Sequence, residues 1–491
     1  MRKVLFLLSA LVLFGCTANV KGPVLTIEGG QVQGVQSVKK GVTVFRGIPY
    51  AAAPIGDLRW KEPQPVTPWK GVKVADIFGH PGFQAVHYPG GYTTEWGYGA
   101  EQAYSEDCLY LNVWTPAPGK ADAKLPVALW IHGGGYREGW GSEPEFEGSE
   151  WAAKGVVLVS INYRLGVFGF LTHPDLAAES PHGVSGNYGI LDQIESLKWI
   201  QKNIAQFGGD PDNVTIFGQS AGAGSVKTLV ASPLTEGLID KAIIMSGGGL
   251  TVPQPQAAAP AAMPSMARFP MLTPEEQAAK NKEIFAWAGY DTLEKMRRAG
   301  TTEVYALPTI YAGATGQRAS LTGSPVVEGY VNTKSFDNAC LDGTVANIPY
   351  MMGYTMNDMG NMASGIAAFC LNREEQGGKA WAYEFARPLP DDGSEPGVTA
   401  RLKGAFHSSD LWFVFKTLQY CWRPWTQGDW DLSEKMLTAW TNFAKYGDPN
   451  GKDGGDWAPC TKDNQKFMVF KLDKDDKEAS ELTDPVTELG Y

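Results

Sequence analysis

The sequence predicts an α/β fold, with a mostly parallel central sheet, helices on both faces and lid-like insertions. Three observations predict it. Short apolar runs alternate with helical patterns along the chain, which is the signature of strands joined by crossover helices. No period of about 20 to 50 residues is visible, which argues against a solenoid or a propeller. One serine flanked by glycines falls between a strand-like run and a helix-like run.

The chain begins with Arg2 and Lys3, then an apolar run from Val4 to Phe14 interrupted only by Ser9. That run is too short to span a bilayer and reads as the core of a signal peptide. It ends Leu13-Phe14-Gly15-Cys16, which resembles the lipobox of bacterial lipoproteins, in which the cysteine carries the lipid. Residues 1–20 are therefore expected to be an export signal and tether. The mature protein is expected outside the cytoplasm, touching a membrane only through a lipid on Cys16. Residues 21–491 are expected to form one α/β domain.

Leu125 to His132 reads as a buried strand ending in a glycine triplet, and Gly155 to Asn162 as a second. Ile190 to Gln206 places Ile190, Ile194, Leu197, Ile200 and Ile204 three or four residues apart, which predicts a helix stopped by Gly208 and Gly209. Val214 to Phe217 and Lys241 to Met245 read as two further strands. Thr251 to Leu272, rich in Pro, Ala and Met, reads as a loop or lid. Arg373 to Val398 reads as a polar, turn-rich insertion.

Composition narrows the partners. The chain has 491 residues, 43% hydrophobic and 11% aromatic, which excludes a disordered protein. A formal charge of −11 and a pI of about 5.2 leave no basic stripe for nucleic acid. Six cysteines are too few for a disulfide scaffold of this length. No His/Cys cluster has ligand spacing, so neither a metal nor another cofactor is expected.

Gly218-Gln219-Ser220-Ala221-Gly222 follows the Val214–Phe217 run. With 23 serines and 58 glycines in 491 residues, composition alone yields about 0.3 such matches. The context carries the weight: a strand before, small residues after, then an apolar helix from Val226. A sharp strand-to-helix turn would expose the Ser220 hydroxyl at a helix N-terminus, as a nucleophile requires. Hydrolases built on such an elbow order their partners serine, acid, histidine. Of His80, His87, His132, His173, His182 and His407, only His407 follows Ser220. Carboxylates for the acid are many, including Asp240, Asp291, Glu328, Asp342, Asp358, Asp391 and Asp392. Asp358 leads them because it lies in a loop after the apolar run Ile348–Gly353. Upstream, Leu129 to Gly135 reads LWIHGGG, a strand end with bare N–H groups. Gly134 and Gly135 with Ala221 would then form an oxyanion hole.

These segments resemble the type-B carboxylesterase family of α/β-hydrolases, which includes cholinesterases and bacterial nitrobenzyl esterases. The resemblance runs over FRGIPYA at 45–51, SEDCLYLNVW at 105–114, NYRLGVFGFL at 162–171, FGGDPDNVTIFGQSAGA at 207–223 and HSSDLWFVF at 407–415. It implies Ser220 as nucleophile, His407 as base and Asp358 as acid, the last from GYTMNDMG at 353–360 where the family usually has Glu. It also implies a buried serine, Ser246, near the acid, and buried ion pairs of Arg46 with Glu106 and Arg164 with Asp192. The family often carries Glu beside the nucleophile; Gln219 here removes that charge and makes choline esters a poor fit. The usual partner of the cysteine at Cys108 is missing, which predicts a free, buried thiol.

Cys340 with Cys370 and Cys421 with Cys460 are the pairings an exported chain would allow. Trp412, Trp422, Trp425 and Trp430 read mostly as core filling, and the aromatic segment Tyr88 to Tyr98 as a pocket wall suited to aryl or cinnamoyl esters. The sequence thus predicts a serine carboxylic-ester hydrolase acting on a small, aromatic-tolerant ester through an acyl-enzyme. The alternatives are an amidase, thioesterase or lipase on the same triad, or a non-catalytic binding relative.

Overall fold

The computed structural model describes residues 21–485, apart from 89, 97–102, 252–271, 318, 322, 361 and 396–399. Cys16 and nearly all of the expected lid at Thr251–Leu272 lie outside the described residues.

Thirteen strands among the described residues form one sheet: β1 (Lys21–Ile27), β2 (Gly30–Gln36), β3 (Thr43–Pro49), β4 (Val72–Val74), β5 (Tyr110–Thr115), β6 (Leu125–Ile131), β7 (Val157–Ile161), β8 (Gly209–Gln219), β9 (Lys241–Met245), β10 (Tyr350–Thr355), β11 (Ala380–Phe385), β12 (Phe467–Phe470) and β13 (Glu481–Thr483). Their spatial order is β1-β2-β3-β5-β7-β6-β8-β9-β10-β11-β12-β13, with β4 beside β2. From β7 to β12 every pairing is parallel; the β1-β2-β3-β5-β7 flank and the β12–β13 edge are antiparallel, and β4 joins β2 in parallel.

The central strands are apolar on both faces, as strands covered twice must be. On β6, Val127, Leu129 and Ile131 enter one core, while Ala128 and Trp130 enter the other. β9 splits in the same way, with Ala242 and Ile244 against Ile243 and Met245. Tyr188–Asn203, Ala221–Ala231 and Ala363–Glu375 are helices whose apolar residues join the first core. Leu411–Phe415 and the long helix Gln427–Tyr446 join the second. Each fully buried Leu, Ile, Val or Phe contributes roughly 1.5–3 kcal/mol by leaving water.

Several expectations need correction. The segment Arg373–Val398 is not simply a polar insertion: it contains β11, six buried residues paired with both β10 and β12. Its charged ends mask an apolar stretch too short to show periodicity. The helix after the elbow starts at Ala221 rather than Val226, because small residues suit a first turn pressed against the sheet. Arg46 does not reach Glu106. Its side chain leaves β3 toward the Phe78 ring, 5.0 Å away, and the Asp76 carbonyl. Glu106 is instead held by Arg59 through two bonds of 2.7 and 2.6 Å, because Arg59 ends the turn Gly56–Leu58 that delivers it inward. Arg164 and Asp192 pair as expected, at 2.8 and 2.6 Å and fully buried.

The five described cysteines are unpaired thiols, so the disulfides Cys340–Cys370 and Cys421–Cys460 are not formed. Cys460 donates its N–H to the Ala380 carbonyl on β11, which sets its thiol against Cys370. Cys421 lies on the other side of the sheet beside Glu95. Cys108 is free and buried, as its missing partner predicts.

Candidate active site

The central parallel strands direct their C-terminal ends toward one edge, where ligands bind in open α/β sheets. β8 ends at Gln219 and the next residue, Ser220, has φ 57° and ψ −122°. A non-glycine residue in this region is strained by about 1–3 kcal/mol and persists only where its surroundings enforce it. Here the Ser220 N–H is held by the Met245 carbonyl of β9 at 2.9 Å. The glycine two residues on explains the motif: a Cβ on Gly222 would lie 2.0 Å from the Ile131 carbonyl oxygen of β6. The sharp turn leaves Ser220 at the N-terminus of the 11-residue helix Ala221–Ala231, with the Ala221 N–H in its first turn.

Beyond β6, Gly133, Gly134 and Gly135 line the same cavity as Ser220 and His407. Gly134 has φ +95°, and a Cβ there would lie 2.1 Å from the Glu138 carbonyl oxygen, so this loop admits no side chain at that point. His132 is buried against Tyr163, with ring centroids 4.4 Å apart, and bonds the Gly133 carbonyl. Burial pushes its pKa down to about 4, so it stays neutral and fixes the strand end.

His407 and Asp358, 49 residues apart, meet at 2.6 Å through Nδ1 and Oδ1. Met359 N–H also donates to Oδ1 at 2.7 Å, and Thr355 donates its hydroxyl to Oδ2 at 3.2 Å. Burial pushes the Asp358 pKa up, but the bond to His407, its charge, and the nearby Ser246 hydroxyl outweigh it and hold it below the usual value. Ser246 follows β9, is buried, and has φ 52°. The shorter Asp reaches the imidazole because the loop after β10 is drawn in: Asn357 N–H bonds the Ala405 carbonyl, and Ala405 N–H bonds Asn357 Oδ1.

The second imidazole nitrogen, Nε2, lies 3.2 Å from the Gln219 side-chain amide. With Nδ1–H donated to Asp358, Nε2 is the acceptor and Gln219 the donor. A second carboxyl lies behind the first. Asp410 is fully buried, accepts from the Tyr383 hydroxyl at 3.2 Å, and is pushed up to about 7 by burial and by the charge of Asp358. Two neighbouring acids are thus divided, one ionised against a histidine and one holding its proton.

These groups border a cavity of about 640 Å³ whose walls include Tyr92, Trp96, Phe146, Tyr305, Met359 and Leu411. Tyr92 and Trp96 come from the aromatic segment expected to form a pocket wall; Tyr88 is exposed and Tyr98 lies outside the described residues. Glu143 and Glu145 also border it. Burial raises Glu143 to about 7 and Glu145 well above the usual range, and Glu143 accepts the Trp140 N–H at 2.7 Å. Nothing in the local sequence signals these two carboxyls, nor the contact of Gln219 with His407. Among the described residues no group of three or more His, Cys, Asp or Glu is placed to hold a metal ion, and no helix is long and apolar enough to cross a membrane.

A mostly parallel sheet whose strained serine shares one cavity with a glycine loop and a His–Asp pair is the arrangement of the α/β-hydrolase class. Residues 21–369 and 361–485 match the carboxylesterase family, and the chain belongs to it. It is 31% identical over 507 residues to the para-nitrobenzyl esterase of Bacillus subtilis, covering 95% of this chain and 97% of that one. It is 36% identical over 385 residues to the fumonisin B1 esterase of Sphingopyxis macrogoltabida, covering 77% of this chain and 65% of that relative. Among solved structures, a thermophilic para-nitrobenzyl esterase superposes with a TM-score of 0.74 at 27% identity, covering 94% and 98% of the two chains. A Geobacillus stearothermophilus carboxylesterase at pH 6.2 gives 0.72 at 29% identity with the same coverage. The protein is a carboxylic ester hydrolase.

Proposed function

We propose that the ester is cleaved through an acyl-enzyme on Ser220. One observation carries the reading: a serine in a strained turn at a helix N-terminus borders the same cavity as a histidine bonded to a buried carboxylate. His407 takes the serine proton and returns it to the leaving alcohol; water then repeats the cycle on the acyl group. Asp358 holds the imidazole with Nε2 free to accept and stabilises the imidazolium. The N–H groups of Gly134, Gly135 and Ala221 receive the oxyanion, each typically supplying on the order of 100-fold in rate. In the resting geometry the Gln219 amide occupies Nε2, so Ser220 displaces it when substrate binds; apo hydrogen bonds of this kind commonly tighten only in the complex.

The aromatic walls Tyr92, Trp96, Phe146 and Tyr305 support a small aryl-containing ester as substrate, in keeping with the para-nitrobenzyl esterase relative. p-Nitrophenyl acetate hydrolysis by wild type and S220A tests the mechanism; equal rates would overturn it. A series of matched oxygen esters, thioesters and anilides separates esterase from thioesterase or amidase, and a chain-length series separates it from lipase. Export and attachment through a lipid on Cys16 belong to the same reading. Fatty-acid labelling lost in C16A supports them, and labelling that persists overturns them.

A further inference from the structure

Tyr92–Trp96 is a five-residue helix, too short to hold itself in place, yet it supplies two walls of the cavity. Its anchor is a fully buried ion pair with a residue 328 positions away. Glu95 Oε1 accepts from Arg423 Nε at 2.9 Å and from Trp412 Nε1 at 3.1 Å, and Oε2 accepts from Arg423 Nη2 at 2.7 Å. Neither side chain of the pair has any exposed surface. Arg423 spends its remaining donors on the loops around the base: Nη2 also donates to the Leu402 carbonyl and Nη1 to the Pro390 carbonyl, both at 3.0 Å. Its guanidinium lies 5.5 Å from the ring of Phe406, the residue before His407. From the other side, the Tyr92 ring is 6.2 Å from Phe406 and its hydroxyl donates to the His407 carbonyl at 3.3 Å.

An ion pair removed from water gains little stability over a well-packed apolar pair, because desolvation offsets the attraction. What it adds is direction: a two-pronged guanidinium fixes geometry that apolar contacts leave loose. We propose that Glu95 and Arg423 are positioning residues for His407, clamping the Tyr92–Trp96 helix and the 402–407 segment around the base. The proposal rests on the esterase reading above. Neither residue touches the reacting atoms; both act through the backbone of His407 and the walls beside it.

The test uses E95Q, R423K and Y92F. Active serines are first titrated with a fluorophosphonate, so that only folded, reactive sites are counted. For p-nitrophenyl acetate, kcat per titrated site is expected to fall about tenfold or more in E95Q and R423K, since small displacements of a catalytic group cost this much. KM should move far less, and the acidic limb of the kcat/KM pH profile should shift. Y92F keeps the ion pair and loses only the hydroxyl, so about a threefold loss in kcat is expected; it decides alone where the other two fail to accumulate. Wild-type kcat and an unshifted pH profile in every soluble variant, whatever the change in Tm, would overturn the proposal. A wild-type protein that neither takes up the phosphonate nor hydrolyses the ester would overturn the esterase reading itself.

Discussion

Asp358 and Asp410 show how burial gives the same side chain two fates. Asp358 is ionised because a histidine, a hydroxyl and an N–H converge on it; Asp410 has the Tyr383 hydroxyl and a negative neighbour. The Asp410 carboxyl keeps its proton to about 7 in the folded protein, against about 3.9 in an unfolded chain. Between these values the folded state binds the extra proton, so stability falls as pH rises from about 4 to 7. D410N cannot titrate and is spared this loss. Its Tm should exceed that of wild type most at pH 8, with the difference fading toward pH 4; a difference independent of pH would contradict the assignment. D358N should lower kcat on the order of 10³-fold or more, by releasing the tautomer that leaves Nε2 free. Ser220 and His407 were legible as single residues because one motif and one ordering rule isolate them. Asp358 led on its place after the apolar run Ile348–Gly353, and the family signature then singled it out among the many carboxylates that fit the order. The bond from Gln219 to His407 was not legible: its residue type argued only about charge.

The elbow and the glycine loop are stretches where the chain has no room for alternatives. G222A would drive a methyl into the Ile131 carbonyl and is expected to cost about 3 kcal/mol or more, read as a drop in the urea midpoint. G134A combines a positive φ with a clash against Glu138. It should lower kcat about 100-fold while leaving most of the far-UV ellipticity intact, because the loop lies at the end of β6 rather than within it. Elements with strong local pattern emerged with nearly their expected limits: β9 spans Lys241–Met245 as read, and the helix predicted from Ile190 runs Tyr188–Asn203. β11 was hidden because both its neighbours in space, β10 and β12, are distant in sequence, and its own six residues lack alternation. The Arg59–Glu106 pair was misassigned to Arg46 for a related reason. Two arginines lay near the same motif, and the turn at Gly56–Leu58, not the spacing, chooses between them.

Across the whole molecule, one cavity draws on residues from 85 to 411, contributed by strand ends and loops remote in sequence. No part of it can persist when the sheet comes apart. Esterase activity and far-UV ellipticity should therefore vanish along one urea curve. Activity lost at clearly lower denaturant would instead identify the walls, above all Tyr92–Trp96, as a separately melting unit. The overall class was legible because alternating strands and helices constrain topology. The clamp between Glu95 and Arg423 was not, since nothing local couples residues 328 positions apart. The cysteines carry a practical consequence. With Cys108, Cys340, Cys370, Cys421 and Cys460 all present as thiols, the fold needs no oxidative maturation step. Recombinant protein made in a reducing host cytosol and purified under dithiothreitol should be as active as protein made without reductant, and storage in air becomes the condition to watch, with Cys370 and Cys460 the adjacent pair.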